Sequence, residues 1–339
     1  MNVLLTSVGR RAYLVDYFKE ALGDSGKVIA TNTVAETTGM FAADDAIVVP
    51  AAKDPAFVDS LLDVCQAHDV SLLCSLHDWE APYIAASAQR FQGIGVCLVM
   101  PTLEIVNICL DKYKTFLFAE RNGVRSPKTY LSEEAIAEAL LRGEVAFPLV
   151  LKPRWGQGSI GLRIVHDLAE LASAYHSLNQ EIKDGGFAHL ADLDTSQIVI
   201  QECLIGQEYG VDIVNDLNGE FASCLVKKKL GMRAGETDSA ITLQHPRIEA
   251  LGRTISKATR HLGNVDADFF ELEDGEVALL ELNPRFGGGY PFSHLAGANV
   301  PAALLAWRSG GIPNSEWLNI ECGVRGFKDV RVVGSNRQS

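Results

Sequence analysis

Between Asp268 and Arg285 the chain reads Asp-Phe-Phe-Glu-Leu-Glu-Asp-Gly-Glu-Val-Ala-Leu-Leu-Glu-Leu-Asn-Pro-Arg. Two apolar or alternating runs, Phe269 to Leu272 and Val277 to Leu282, flank the turn signature Glu273-Asp274-Gly275-Glu276. That pattern predicts two antiparallel strands. Folding at the turn carries Asp268 close to Glu281 and Asn283, three hard oxygen donors. Mg²⁺ takes such donors and completes its shell with water and nucleotide phosphate. Arg285, on the same edge, could hold a phosphate or carboxylate oxygen bidentately. A plain hairpin with solvated carboxylates has the same signature, so the rest of the chain must decide.

Three further segments carry chemistry. Phe147 to Pro153 reads as a short strand ending in Lys152, followed by Arg154-Trp155-Gly156-Gln157-Gly158-Ser159-Ile160-Gly161. Glycines at 156, 158 and 161 permit left-handed backbone and close approach, so the loop amides could cradle phosphate before Ile160 and Leu162 return to a strand. A glycine-bearing hairpin without a ligand is the alternative. Ile198 to Val214 gives two strands around a glycine turn with Glu202 and Glu208 at its flanks. Leu225 and Val226 then lead into a basic cluster, Lys227, Lys228, Lys229 and Arg233. Period-two alternation sends Lys227 and Lys229 to one face and Lys228 to the other.

The elements that must position these groups begin with an alternating pattern. Asn2 to Thr6, Lys27 to Ala30, Ala46 to Val49 and Leu72 to Ser75 read as strands; Arg11 to Leu22 and Pro55 to His68 read as helices. Such alternation predicts a mostly parallel sheet with its ligand edge at the C-terminal strand ends. Thr6-Ser7-Val8-Gly9-Arg10-Arg11 and His77, Asp78 and Glu80 fall on that edge. Arg10 and Arg11 are candidates for an anionic substrate or simple solvated charges, and Asp78 is a candidate helix cap. The segment lacks the full dinucleotide fingerprint, G-x-G-x-x-G. A helix opens near Asp111-Lys112 and ends at Gly123; others are expected over 167–182 and 246–262. Lys183 to Ser196 reads as an irregular connection and the tail after Val333 as polar.

With 339 residues, 47% hydrophobic and 22% charged, the chain is long enough for two or three globular domains. A net charge of −13 argues against a nucleic-acid or anionic-membrane surface. No apolar run reaches roughly 18 residues and Met1 to Thr6 lacks a secretion signal, so a cytoplasmic location is expected. The seven cysteines show no C-x-x-C pair, which favours buried reduced thiols over zinc or disulfides.

In order, Lys112, Lys152 with its glycine loop, Glu202 to Glu208, and Asp268 with Glu281-Leu282-Asn283-Pro284-Arg285 resemble the ATP-grasp superfamily. The carbamoyl-phosphate-synthase-like single-unit proteins are the nearest flavour, including those found with surface-polysaccharide or small-peptide biosynthesis. The resemblance implies an α/β (α+β) fold. A Rossmann-like pre-ATP-grasp domain would occupy residues 1–110, an ATP-grasp lid subdomain 111–197, and a C-terminal subdomain with the metal site 198–339. It further implies that Lys112 and Lys152 reach ATP phosphates beneath the loop of Gly156, Gly158, Ser159 and Gly161. Glu202, Cys203 and Leu204 would read adenine, and Glu208 would hold the ribose. Asp268, Glu281 and Asn283 would bind one or two Mg²⁺ ions, with Mn²⁺ as a substitute, and Arg285 would steady phosphate or an acylphosphate. Asp268 departs from the glutamate or glutamine often found in nearer relatives.

The implied reaction is ATP-dependent activation of a carboxylate as an acylphosphate, followed by amine attack to give an amide or peptide. Carbamoyl-phosphate-type activation of bicarbonate and a non-catalytic ATP sensor or scaffold are the alternatives, with a nicotinamide oxidoreductase as a remote one. Small-molecule carboxylate and amine substrates are expected partners, and a homodimer through the N-terminal domain is implied. Arg10, Arg11, Asp78, Lys227, Lys229, Arg233 and the Gly287-Gly288-Gly289-Tyr290 loop are candidate substrate contacts by position. Gly287 to Gly289 could equally form a flexible turn.

Overall fold

The computed structural model describes residues 1–156, 158–186 and 196–334. Gln157 of the glycine loop, most of the connection from Lys183 to Ser196, and the end of the tail lie outside the described residues. Three sheets organise the rest. The first is parallel, in the order β3-β2-β1-β4-β5, built from β1 (Asn2–Thr6), β2 (Val28–Asn32), β3 (Asp45–Val48), β4 (Val70–Ser75) and β5 (Cys97–Leu98). Val3, Leu4 and Leu5 are fully buried. Strands that are apolar on both faces need helices on both, which fits the parallel arrangement. Each such side chain taken from water contributes about 1.5–3 kcal/mol.

The second sheet is antiparallel, in the order β6-β9-β7-β8, from β6 (Thr129–Tyr130), β7 (Leu149–Pro153), β8 (Arg163–Val165) and β9 (Ile198–Glu202). Leu149, Leu151 and Ile200 pack on the helices Glu133–Leu141 and Leu168–Glu181. Both helices start at side-chain caps: Ser132 accepts from the Ala135 amide and Asp167 from the Glu170 amide.

The third sheet, in the order β14-β13-β10-β11-β12-β15, comprises β10 (Gly206–Asn215), β11 (Phe221–Arg233), β12 (Glu236–Leu243), β13 (Gly263–Leu272), β14 (Val277–Asn283) and β15 (Arg325–Phe327). One apolar cluster runs from Val3, Leu5 and Val28 of the first sheet through Val214 and Leu225 of the third to Phe286 and Tyr290. A shared core of this kind holds the N-terminal loops in fixed register with the large sheet.

Two details differ from the sequence expectation. The expected boundary at 197/198 assigned residues 198–202 to the C-terminal subdomain, but β9 pairs with β6 and β7 of the four-stranded sheet. The glycine turn at 206 therefore separates two sheets and does not close a hairpin. Strand structure after the glycine loop resumes at Arg163, leaving Ile160 and Leu162 exposed in the loop itself.

Candidate active site

The hairpin β13–β14 has the expected register. Asp268 faces Glu281 directly, and Asp266 faces Asn283 two residues further along. Because alternate residues share a face, Asp266, Asp268, Glu281 and Asn283 project together, and all four line one cavity of about 920 Å³ with Arg285. Asp266 carries no signal of its own in the sequence, because Asn283, its partner, is distant in the chain. It accepts from Asn283 Nδ2 at 3.1 Å, which leaves the Asn283 amide oxygen as the outward donor atom. Gly287 is required beneath it: a Cβ there would lie 2.0 Å from Asp266 Oδ1. Gly287 is thus a close-packed support for this carboxylate.

Lys229 reaches into the same cluster, its ammonium 2.6 Å from Glu208 and 2.7 Å from Asp268. Burial opposes its charge, but Asp268 and Glu208 overcome that, so its pKa is raised. Asp268 is also raised, which for an acid disfavours its charge. Burial, followed by the charges of Asp266, Glu281 and Glu208, raises it to about 7 against the pull of Lys229. Among the described residues no three His, Cys, Asp or Glu side chains form a ready metal cage. Two carboxylates and an amide oxygen crowded on one face nevertheless fit Mg²⁺, whose remaining positions go to water and phosphate.

On the opposing side, Lys152 lies on β7 and is buried. Burial, then the Lys112 charge, lower it to about 8, with Glu281 and Glu208 working against the shift. Lys112, the first residue of the helix Lys112–Arg121, donates to the Gly156 carbonyl at 2.6 Å, and burial lowers its pKa as well. This helix start is anchored by Asp111, which caps the Tyr113 and Lys114 amides and receives a bidentate Arg154 at 2.8 and 2.7 Å. The guanidinium also lies 4.7 Å from the Trp155 ring centroid. No local sequence signal joins positions so far apart, so this anchor escaped the sequence reading.

The glycine loop adopts the expected backbone: Gly156, Gly158, Ser159 and Gly161 all have positive φ. Gly158 sits against Gly235, where a Cβ would come within 2.6 Å of its backbone. The loop is therefore seated on the β11–β12 turn, over the cavity.

Other candidates are redistributed. Glu202 pairs in register with Leu149, on the sheet face turned to the helices, whereas Lys152 points to the other face. Its carboxylate binds Arg125 Nη2 at 2.6 Å and the Lys128 amide at 3.2 Å. Lys227 is fully buried and held by Asp212 at 2.5 Å and Ser293 at 3.0 Å, so its expected substrate contact is corrected to a structural one. Arg233 is exposed and paired with Asp238, at the cavity rim. Arg10 and Arg11 line the cavity. Asp78 is buried and binds Arg285 Nη2 through Oδ2 at 2.9 Å, which makes it a partner of the arginine and not a helix cap. Arg285 stays charged despite burial because Asp78 and Asp266 outweigh the desolvation. The cysteines are free; Cys65, Cys74 and Cys109 are buried, Cys97, Cys203 and Cys224 partly so, and Cys322 is exposed.

Comparison with known proteins agrees with this arrangement. Residues 3–99 match the family described as PylC-like, N-terminal domain, and residues 194–325 match the family described as ATP-grasp in the biosynthetic pathway with Ter operon. The carbamoyl phosphate synthase large chain of Campylobacter jejuni is 24% identical over 231 residues, covering 65% of this chain and 20% of that protein. The chain spans only 7 to 23% of the length of such curated relatives. A biotin carboxylase–β,γ-ATP complex from Campylobacter jejuni superposes with a TM-score of 0.71 at 16% identity, covering 94% of this chain and 73% of that one. An L-amino acid ligase from Bacillus licheniformis gives 0.65 at 17% identity, covering 90% and 73%. The chain is thus similar to PylC-like N-terminal domains over residues 3–99 and to an ATP-grasp family over residues 194–325.

Proposed function

We propose that the protein is an ATP-dependent ligase that activates a small-molecule carboxylate as an acylphosphate and couples it to an amine, releasing ADP and phosphate. The observation that carries this reading is the convergence of Asp268, Glu281, Asn283 and Arg285 on one cavity face, within the electrostatic reach of Lys112 and Lys152. Asp268, Glu281 and Asn283 would hold Mg²⁺, or Mn²⁺ in its place. The ion would supply charge neutralisation for the nucleotide phosphates.

The residues divide the remaining work. Lys112 and Lys152 bind phosphate oxygens, and the loop Gly156 to Gly161 covers them. Glu208, held by Lys229, would hold the ribose, and backbone groups at Glu202 to Leu204 would read adenine. The substrate carboxylate oxygen attacks the γ-phosphorus and ADP leaves. Arg285 balances charge on the acylphosphate, whose carbonyl carbon then takes the amine while phosphate departs. Covering by the glycine loop excludes the water that would otherwise hydrolyse that intermediate. In this reading residues 1–110 form the pre-ATP-grasp domain, 111–202 the lid subdomain and the remainder the metal-bearing subdomain. Phe41 and Val48, 50 and 53% exposed beside edge strand β3, are the surface a homodimer would cover. No helix among the described residues is long and apolar enough to cross a membrane.

Transfer of label tests the chemistry. With an ¹⁸O-labelled carboxylate, one labelled oxygen is expected in the released phosphate; unlabelled phosphate would overturn the acylphosphate route. Likeness to a carbamoyl phosphate synthase large chain keeps bicarbonate as a second candidate acid, and product mass separates the two.

A further inference from the structure

Arg11 and Arg285 come from opposite ends of the chain yet donate to one acceptor. Nη1 of each reaches the Phe286 carbonyl oxygen, at 2.9 and 3.1 Å. Two guanidinium charges are therefore fixed side by side at the cavity wall. Asp78 balances that of Arg285. Arg11 forms no ion pair among the described residues; its one side-chain hydrogen bond there is to Phe286. The other cations lining the cavity are held by carboxylates: Lys229 by Glu208 and Asp268, Arg233 by Asp238, Lys328 by Glu236, and Arg331 by Asp16. Arg10 has no ion pair among the described residues either, but is exposed to water.

The loop that carries Arg11 is built rigidly. Buried Glu80 accepts from the hydroxyls of Thr6, Ser7 (2.6 Å) and Ser75 (2.7 Å), and Ser7 is held at φ 48°. Such a backbone conformation is uncommon outside glycine and persists only where the surroundings impose it. Arg11 spends one of five N–H donors on Phe286, which leaves a planar edge suited to two oxygens of one anion. A second positive charge beside Arg285, with no ion-pair partner of its own among the described residues and partly withdrawn from water, is costly unless an anion completes the site.

We propose that Arg11 and Arg285 form a two-arginine oxyanion site across the N-terminal and ATP-grasp domains, and that it docks the carboxylate of an organic acid substrate. The assignment rests on the ligase reading for its substrate class, while the site itself rests on the shared carbonyl and the unpaired guanidinium. Arg11 makes the docking contact, and Arg285 remains with the carboxylate through its conversion to the acylphosphate.

The test is calorimetric titration of the Mg·ADP-saturated full chain with glutarate and, separately, with inorganic phosphate, for the native protein and the variants Arg11→Gln, Arg11→Lys and Arg10→Gln. Glutarate is expected to bind the native protein. Its affinity should fall about tenfold or more in Arg11→Gln, the factor carried by one charge-assisted hydrogen bond, recover in part in Arg11→Lys, and change little in Arg10→Gln. ADP affinity, unchanged in all four proteins, shows that the fold is kept; a general loss of ADP binding in both Arg11 variants would mark Arg11 as structural and overturn the proposal. Equal glutarate binding by native protein and Arg11→Gln, or none by the native protein, would overturn it too. Binding of phosphate alone would assign the site to the released product and overturn the carboxylate assignment. Arg11-dependent glutarate binding without ADP release from any acid and amine would remove the ligase reading and leave the oxyanion site standing.

Discussion

Asp78, on the loop after β4, and Arg285, two residues beyond β14, form a buried ion pair with Nη2 2.9 Å from Oδ2. The pair spans the N-terminal domain and the metal hairpin, so the cavity is assembled from both. Removing one partner of a buried pair strands the other charge. Asp78→Asn is therefore expected to cost about 3 kcal/mol of stability, measured by denaturant unfolding. An unchanged midpoint and slope would show that Arg285 finds compensation elsewhere.

Lys227 and Lys229 share a strand face but have different fates. Lys227→Met leaves Asp212 buried without its cation and is expected to lower stability by about 3 kcal/mol while leaving ATP affinity within about threefold. Lys229→Met releases Glu208 and Asp268, and ATP affinity should drop about tenfold, the worth of one charge-assisted hydrogen bond orienting Glu208. Nucleotide titration and unfolding of both variants check the contrast; matching profiles for the two would contradict it.

Burial holds Lys152 at about 8, whereas an unfolded lysine titrates near ~10.4. Across that window the unfolded chain binds more protons, so the burial penalty of this lysine is fully present below about pH 8 and fades as pH rises towards ~10.4. Phosphate needs the charged form. ATP binding at about pH 9 should thus be coupled to proton uptake, seen by calorimetry in buffers of different ionisation enthalpy and lost in Lys152→Met. Proton-neutral binding by the native protein at that pH would contradict the placement.

Gly287→Ala places a methyl group against Asp266, where a Cβ would lie 2.0 Å from Oδ1. Displacing Asp266 releases the Asn283 amide that it orients. The variant should lose about 1–3 kcal/mol of stability and need more Mg²⁺ for half-maximal ADP release. A native Mg²⁺ dependence would remove Asp266 from its positioning role.

The hairpin register was legible because a turn signature and alternation act over short range: they specify which side chains face each other, and Asp268 meets Glu281 as expected. The alternation at Lys227 to Lys229 likewise sorted the lysines by face, but not by neighbour. Asp212, which claims Lys227, lies on an adjacent strand, and sequence spacing carries no information about that pairing. The same limit hid the Arg154–Asp111 anchor and the sheet to which β9 belongs. The side taken by Glu202 follows from the register of β9 on β7 and from its pairing with Arg125, neither of which local sequence spacing carries.

The most direct measurement is ADP release with Mg·ATP across a panel of carboxylates and amines, run beside Glu281→Ala, with products identified by mass. ADP formation that requires both an acid and an amine, yields the condensed product, and falls at least about 10²-fold in the variant is the expected result. Equal ADP release by Glu281→Ala, or release that ignores the acid, would contradict carboxylate activation at this hairpin.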